Sequence, residues 1–108
     1  MKPNMNQAQA IKQLQKMQAD VARVQEELKT MEIEESVGGG AVTVAVSGDL
    51  RVTRVSIDPR AIDPDDVEIL EDMIAAAVNA GMEKARGLET AKMQSIMGGL
   101  GLPGGLGV

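Results

Sequence analysis

Ala10, Leu14, Met17, Val21, Val24, Leu28 and Met31 follow one another at alternating spacings of four and three residues. That is the a/d pattern of a coiled-coil seam. It predicts one long helix from about Asn4 to Thr30, with Asn4 as the cap and Gln7 in capping-box position. At the helical rise such a segment is about 40 Å long, longer than a compact domain of this size is wide. A chain of 108 residues must therefore let part of the helix project, or lay its seam against another chain. The seam requires a partner.

The next stretch changes period. Val42, Val44 and Val46 alternate with Thr43, Ala45 and Ser47, which predicts a strand with one apolar face. Ser47-Gly48-Asp49 supplies a turn, and Arg51 to Asp58 forms the returning strand with Val55 and Ile57 on one face. Ile33, Glu35 and Val37 suggest a shorter strand before them. Two or three strands are marginal alone and need a helix or a second sheet against them.

A second helix is announced by "AIDPDDVEILEDM". Asp63 is placed to cap it, Pro64 to take the first helical position, and Asp65, Asp66 and Glu68 to sit near the positive end of its dipole. It is expected to run to about Ile96. Val67, Leu70, Ile74, Ala77, Gly81, Ala85 and Leu88 make its main apolar stripe. Met73, Ala75, Ala76 and Ala80 are apolar on other faces, so this helix is expected to be covered on more than one side. A subunit interface through Leu70, Met73, Ile74, Ala76, Ala77, Asn79 and Ala80 is the expected cover. Asn79 there suits a hydrogen bond that fixes register better than it suits catalysis, having no base or nucleophile beside it.

Composition narrows the function classes. The sequence has no Cys and no His, which removes disulfides, thiolate metal sites, and every Ser–His or Cys–His nucleophile. Phe, Tyr and Trp are also absent, so eight methionines and the aliphatics must fill the core. No aromatic platform exists for stacking unpaired bases. No apolar run is long enough to span a bilayer and the N-terminus lacks a signal-like apolar region, so a soluble cytoplasmic protein is expected. The last dozen residues hold six of the twelve glycines, and residues 98–108 are expected to be a flexible tail after a single domain of residues 1–97.

The glycines of "SVGGGAVTVAV" fit neither phosphate-binding pattern. Gly40 leads into a strand and not a helix, and no Lys follows in P-loop position. A joint that reverses the chain between two strands fits them better. The carboxylates from Asp63 to Asp72 lack the spacing and glycine of a calcium loop, and helix-dipole compensation accounts for them. No metal, cofactor or small-molecule site is expected.

Net charge is −5, but it is unevenly distributed. Residues 1–24 carry Lys2, Lys12, Lys16 and Arg23 against Asp20 alone. Lys12, Lys16 and Arg23 are expected on the side of the first helix away from its seam, with no acidic match on that face before Glu26. Lys84, Arg86 and Lys92 populate the later turns of the second helix. Paired in a dimer, these cations form a candidate surface for nucleic acid, although any one of them alone reads as ordinary solvated surface.

Three stretches, "KQLQKMQADVARVQEEL", "GGGAVTVAVSGDLRVTRVSID" and "IDPDDVEILEDMIAAAVNAGMEKA", together resemble the YbaB/EbfC family of bacterial nucleoid-associated proteins, over roughly residues 7–97. The resemblance implies an α+β subunit of order α-β-β-β-α, with a small antiparallel sheet and two long helices, assembled as an intertwined homodimer with projecting arms. It also implies double-stranded DNA as partner, limited sequence preference, and a role in nucleoid organisation and gene regulation. Ala80 and Gly81 depart from the acidic residue that often follows the motif's asparagine in this family. The expected function is therefore a non-enzymatic duplex binder of the bacterial nucleoid, with Lys12, Lys16, Arg23, Lys84, Arg86 and Lys92 as candidate phosphate contacts. The rival reading is a prefoldin-like scaffold or holdase, which also joins two long helices to a small β segment.

Overall fold

The computed structural model describes residues 7–99, which form a helix, three strands, a short 3-10 turn and a second helix. Helix α1 spans Gln7–Thr30, strands β1, β2 and β3 span Glu32–Val37, Val42–Ser47 and Val52–Ile57, and helix α2 spans Val67–Gly99. The α-β-β-β-α order and the antiparallel sheet, in the order β1-β2-β3, are as the resemblance implies. The Asn4 cap and residues 100–108 of the Gly-rich tail lie outside the described residues. Gly98 and Gly99, expected to belong to that tail, continue α2.

The start of α2 corrects the expectation drawn from its capping signals. Asp63 does not cap the helix. Its carbonyl accepts the Asp66 N–H at 2.9 Å and its carboxylate accepts the Asp65 N–H at 3.0 Å, closing a separate turn ahead of Val67. Val67, expected in the apolar stripe, is 51% exposed. The rest of the stripe behaves as expected: Ala77, Gly81 and Ala85 are buried, and Leu70, Ile74 and Leu88 are partly so.

Two clusters hold the chain together. In the first, Val42, Val44 and Val46 of β2 pack with Ala77 and Ala85 of α2, all without solvent exposure. Burial of each valine side chain is worth about 1.5–3 kcal/mol. Gly81 sits at the closest approach, where a Cβ would meet Val46 Cγ2 at 2.7 Å. In the second cluster, Val24 and Leu28 of α1 pack against Ile96 of α2, flanked by Met17, Val21, Met31, Leu88 and Met93. The C-terminal half of the seam thus finds its partner within the chain. Leu14 is left 56% exposed at the other end, with Ile11 at 53% beside it.

Gly38, Gly39 and Gly40 all have positive φ and join β1 to β2, so they are the strand-reversing joint expected of them. Between β2 and β3 the register shifts at Ala45/Val46, leaving Thr53 as an extra residue opposite Ala45. This bulge puts Val52, paired with Val46, on the same side as Val55 and Ile57, paired with Val44 and Val42. That side faces α2, yet α2 lies over β1 and β2, and Val52 and Val55 remain 40% and 44% exposed. The result is an elongated molecule of 78 × 27 × 16 Å with a radius of gyration of 20.7 Å. A compact chain of this length would have about 13 Å. The arm formed by α1 and the end of α2 accounts for the difference.

Candidate nucleic-acid interface

Helix α1 presents Lys16, Asp20, Arg23 and Glu27 at spacings of four, three and four, which sets them along one face. Lys16 Nζ meets Asp20 at 3.3 Å and Arg23 meets the other Asp20 oxygen at 2.9 Å. Arg23 Nε then reaches Glu27 at 3.6 Å, and Lys92 of α2 reaches the same carboxylate at 3.5 Å. Glu27 therefore links the two helices. Lys16, with Arg23 beside it, holds the Asp20 carboxyl below its ordinary value by hydrogen bonding and charge.

These residues border a cleft of about 330 Å³ between α1 and α2, completed by Gln13, Val24, Ser95 and Ile96. The expectation that no carboxylate matches this stripe before Glu26 is corrected: Asp20, one place before Val21, flanks the packed edge, as Glu27 does before Leu28. Lys16 and Arg23 border the cleft from further round the helix and stay largely exposed, and Lys12 lies outside it. Lys92 joins them because α2 folds back along α1.

The other candidate cations are dispersed. Lys12 is exposed one helical turn before Lys16 and meets no carboxylate. Lys84 is bound to Glu35, whose side chain is 19% exposed and shares the α2-facing side of β1 with Ile33 and Val37. Arg86 is exposed on α2 without a carboxylate partner. Among the described residues, only Lys12 and Arg86 of the ten lysines and arginines lack one. Asp20, Glu27, Gln13 and Ser95 belong to the site although composition and net charge do not single them out. The i,i+3 and i,i+4 spacing on α1 is the signal that marks the first two.

The residues proposed for a subunit interface are also divided. Ala77 is fully buried beneath β2 and has no surface to offer a partner. Leu70, Met73 and Ile74 pack partly on the same core. Ala76 and Asn79 are exposed and Ala80 is half-buried. The more open apolar surface lies elsewhere, at Val52, Val55, Ile62, Val67 and Ile69.

No helix among the described residues is long and apolar enough to cross a membrane, and no cluster of three acidic side chains there is arranged to hold a metal ion. The fold is similar to the crystal structure of an uncharacterized Helicobacter pylori protein, with a TM-score of 0.79 and 20% identity over 87% of this chain and 99% of that one. A nucleoid-associated protein of Acetivibrio thermocellus is 53% identical over 95 residues, covering 87% of this chain and 84% of the relative. A nucleoid-associated protein of Alkaliphilus metalliredigens is 46% identical over 102 residues, covering 94% and 88%. The model of the YbaB/EbfC DNA-binding family matches residues 1–100, and the chain belongs to that family.

Proposed function

We propose that this protein binds double-stranded DNA as a homodimer in the bacterial nucleoid, gripping the backbone with its helical arms and contributing to nucleoid organisation and gene regulation. The observation that carries the reading is the convergence of Lys16, Arg23 and Lys92 from two helices on one groove, in a chain of a DNA-binding family. Lys12 extends this cationic edge along α1, and Arg86 adds an unpaired cation on α2. Phosphate contact supplies affinity without reading sequence. Without aromatic wedges, sequence preference comes from DNA shape and not from base edges. The family is named for DNA binding and not for a catalysed reaction, and the sequence supplies no Ser–His or Cys–His pair.

The homodimer is supported by the uncovered side of β3. Val52 and Val55 lie next to a core that α2 only partly roofs, and a second copy of the same surface suits them. A protein-binding scaffold is the second reading, favoured by Ile11, Leu14 and Met97, which are exposed on the arm.

Titration of the purified protein against duplex DNA at two salt concentrations tests these readings, with single-stranded DNA and an unfolded client protein as comparisons. Salt-sensitive duplex binding at micromolar protein is expected. Its absence sinks the DNA reading, and preference for the client favours the scaffold. Lys12→Glu/Lys16→Glu is expected to abolish duplex binding while light scattering still finds a dimer.

A further inference from the structure

The three cations that line the groove are already occupied. Asp20 takes Lys16 and Arg23, and Glu27 takes Arg23 and Lys92. A carboxylate and a phosphate offer these donors the same thing, a pair of anionic oxygens within hydrogen-bonding reach. We propose that the α1/α2 groove is the seat of a DNA-backbone phosphate, and that Asp20 and Glu27 are built-in competitors that a phosphate must displace. The proposal rests on the DNA-binding reading and adds a regulatory element to it.

Three features support the exchange. First, the groove holds three cations against two carboxylates, so it keeps an unbalanced positive charge when closed on itself. Second, the cleft of about 330 Å³ is also lined by Gln13 and Ser95, whose amide and hydroxyl can donate to an anion in it. Third, the pairs are surface pairs. Lys16 and Arg23 are 74% and 59% exposed against 23% for Asp20, and Lys92 and Glu27 are 31% and 43% exposed; each pair keeps at least one partner open to water, and exposed pairs contribute between nothing and about 1 kcal/mol. The competitors are weak enough to yield, yet each takes its share from the observed affinity. In this arrangement a chain of net charge −5 keeps a cationic groove whose own carboxylates limit its affinity for duplex.

Fluorescence anisotropy with a labelled duplex, at low and moderate salt, tests this on the full chain. Asp20→Asn and Glu27→Gln are each expected to tighten binding about two- to fivefold at low salt, with the gain shrinking as salt rises. Glu68→Gln removes the same charge from the far end of α2, about 36 Å from Lys92, and is expected to leave affinity unchanged. If Glu68→Gln tightens binding as much as Asp20→Asn, the effect is net charge alone and the groove proposal is overturned. If the unmodified chain binds duplex while neither groove variant binds it more tightly, the competitor role fails and the DNA reading stands. If no form binds duplex at low salt, both fail. Circular dichroism checks that each variant is folded, and Glu27→Gln carries the test if Asp20→Asn is not.

Discussion

Glu34 on β1 and Arg54 on β3 meet at 2.5 Å across the intervening strand, directly over Ala45, which is opposite both of them in the register and fully buried. The pair ties the outer strands together on the side of the sheet away from α2, beside a Ser36–Thr43 hydrogen bond of 2.6 Å. Both partners remain about half exposed, so their coupling is expected at roughly 0.2–1 kcal/mol. A double-mutant cycle with Glu34→Gln and Arg54→Gln, read by urea unfolding at low and high salt, measures it. Since Arg54 lies on the sheet and not on the arm, Arg54→Gln is also expected to change duplex affinity far less than Lys16→Glu does.

The opposite side of β3 bears on assembly. Val55 is opposite Val44 in the register, but is 44% exposed where Val44 is not exposed at all. If a second copy covers Val55, Val55→Asp places a charge in an apolar contact with no partner. The dimer is then expected to dissociate about a hundredfold more readily. Sedimentation velocity across a dilution series reads this directly, with circular dichroism to establish that the chain stays folded. A variant that remains dimeric to the same dilution rules out β3 as the interface.

What could be read from the residues follows their range of interaction. The seam from Met17 to Met31 and the valines of β2 were legible because their periods, 3.5 and 2, are local properties. The bulge at Thr53 was not, because Val52 and Val55 are three residues apart and alternation alone puts them on opposite faces. Only pairing with β2 shows the extra residue. Asp63-Pro64 carries a strong helix-start signal, yet the same chemistry closes a turn, and the choice depends on the connection from β3. On α1, the pairing of Lys16 and Arg23 with Asp20 was available from spacing. The link from Glu27 to Lys92 required α2 to run back along α1, which no local pattern encodes.

Two glycines on α2 separate packing from propensity. Both lie inside the helix, where Gly→Ala normally gains about 0.5–1 kcal/mol. Gly87 has nothing within 4 Å of a Cβ, so Gly87→Ala is expected to realise that gain. At Gly81 the added methyl meets Val46 Cγ2 at 2.7 Å in a core that has no exposed surface there. Overpacking of this kind costs about 1–3 kcal/mol, so Gly81→Ala is expected to destabilise on balance. Urea midpoints of the two variants should move in opposite directions. Equal stabilisation by both would show that α2 can lift from β2 at little cost.

Acid is the last lever, and its direction follows from two carboxylates. Hydrogen bonding by Lys16, with Arg23 beside it, lowers the Asp20 pKa in the folded chain; the Arg60 guanidinium and backbone N–H do the same for Asp58. Groups lowered by folding bind fewer protons in the native state, so what they contribute is present above the ordinary carboxylate value of about 3.9. It is lost as pH falls through their folded values. Carboxyl carbon NMR is therefore expected to show both titrating below an unperturbed aspartate, and Asp20→Asn/Asp58→Asn should flatten the fall in stability on acidification. With no histidine in the chain, duplex affinity is expected to hold nearly constant between about pH 6 and pH 8, Asp20 remaining ionised throughout. A marked rise in affinity across that range would mean that a group other than Asp20 controls the groove.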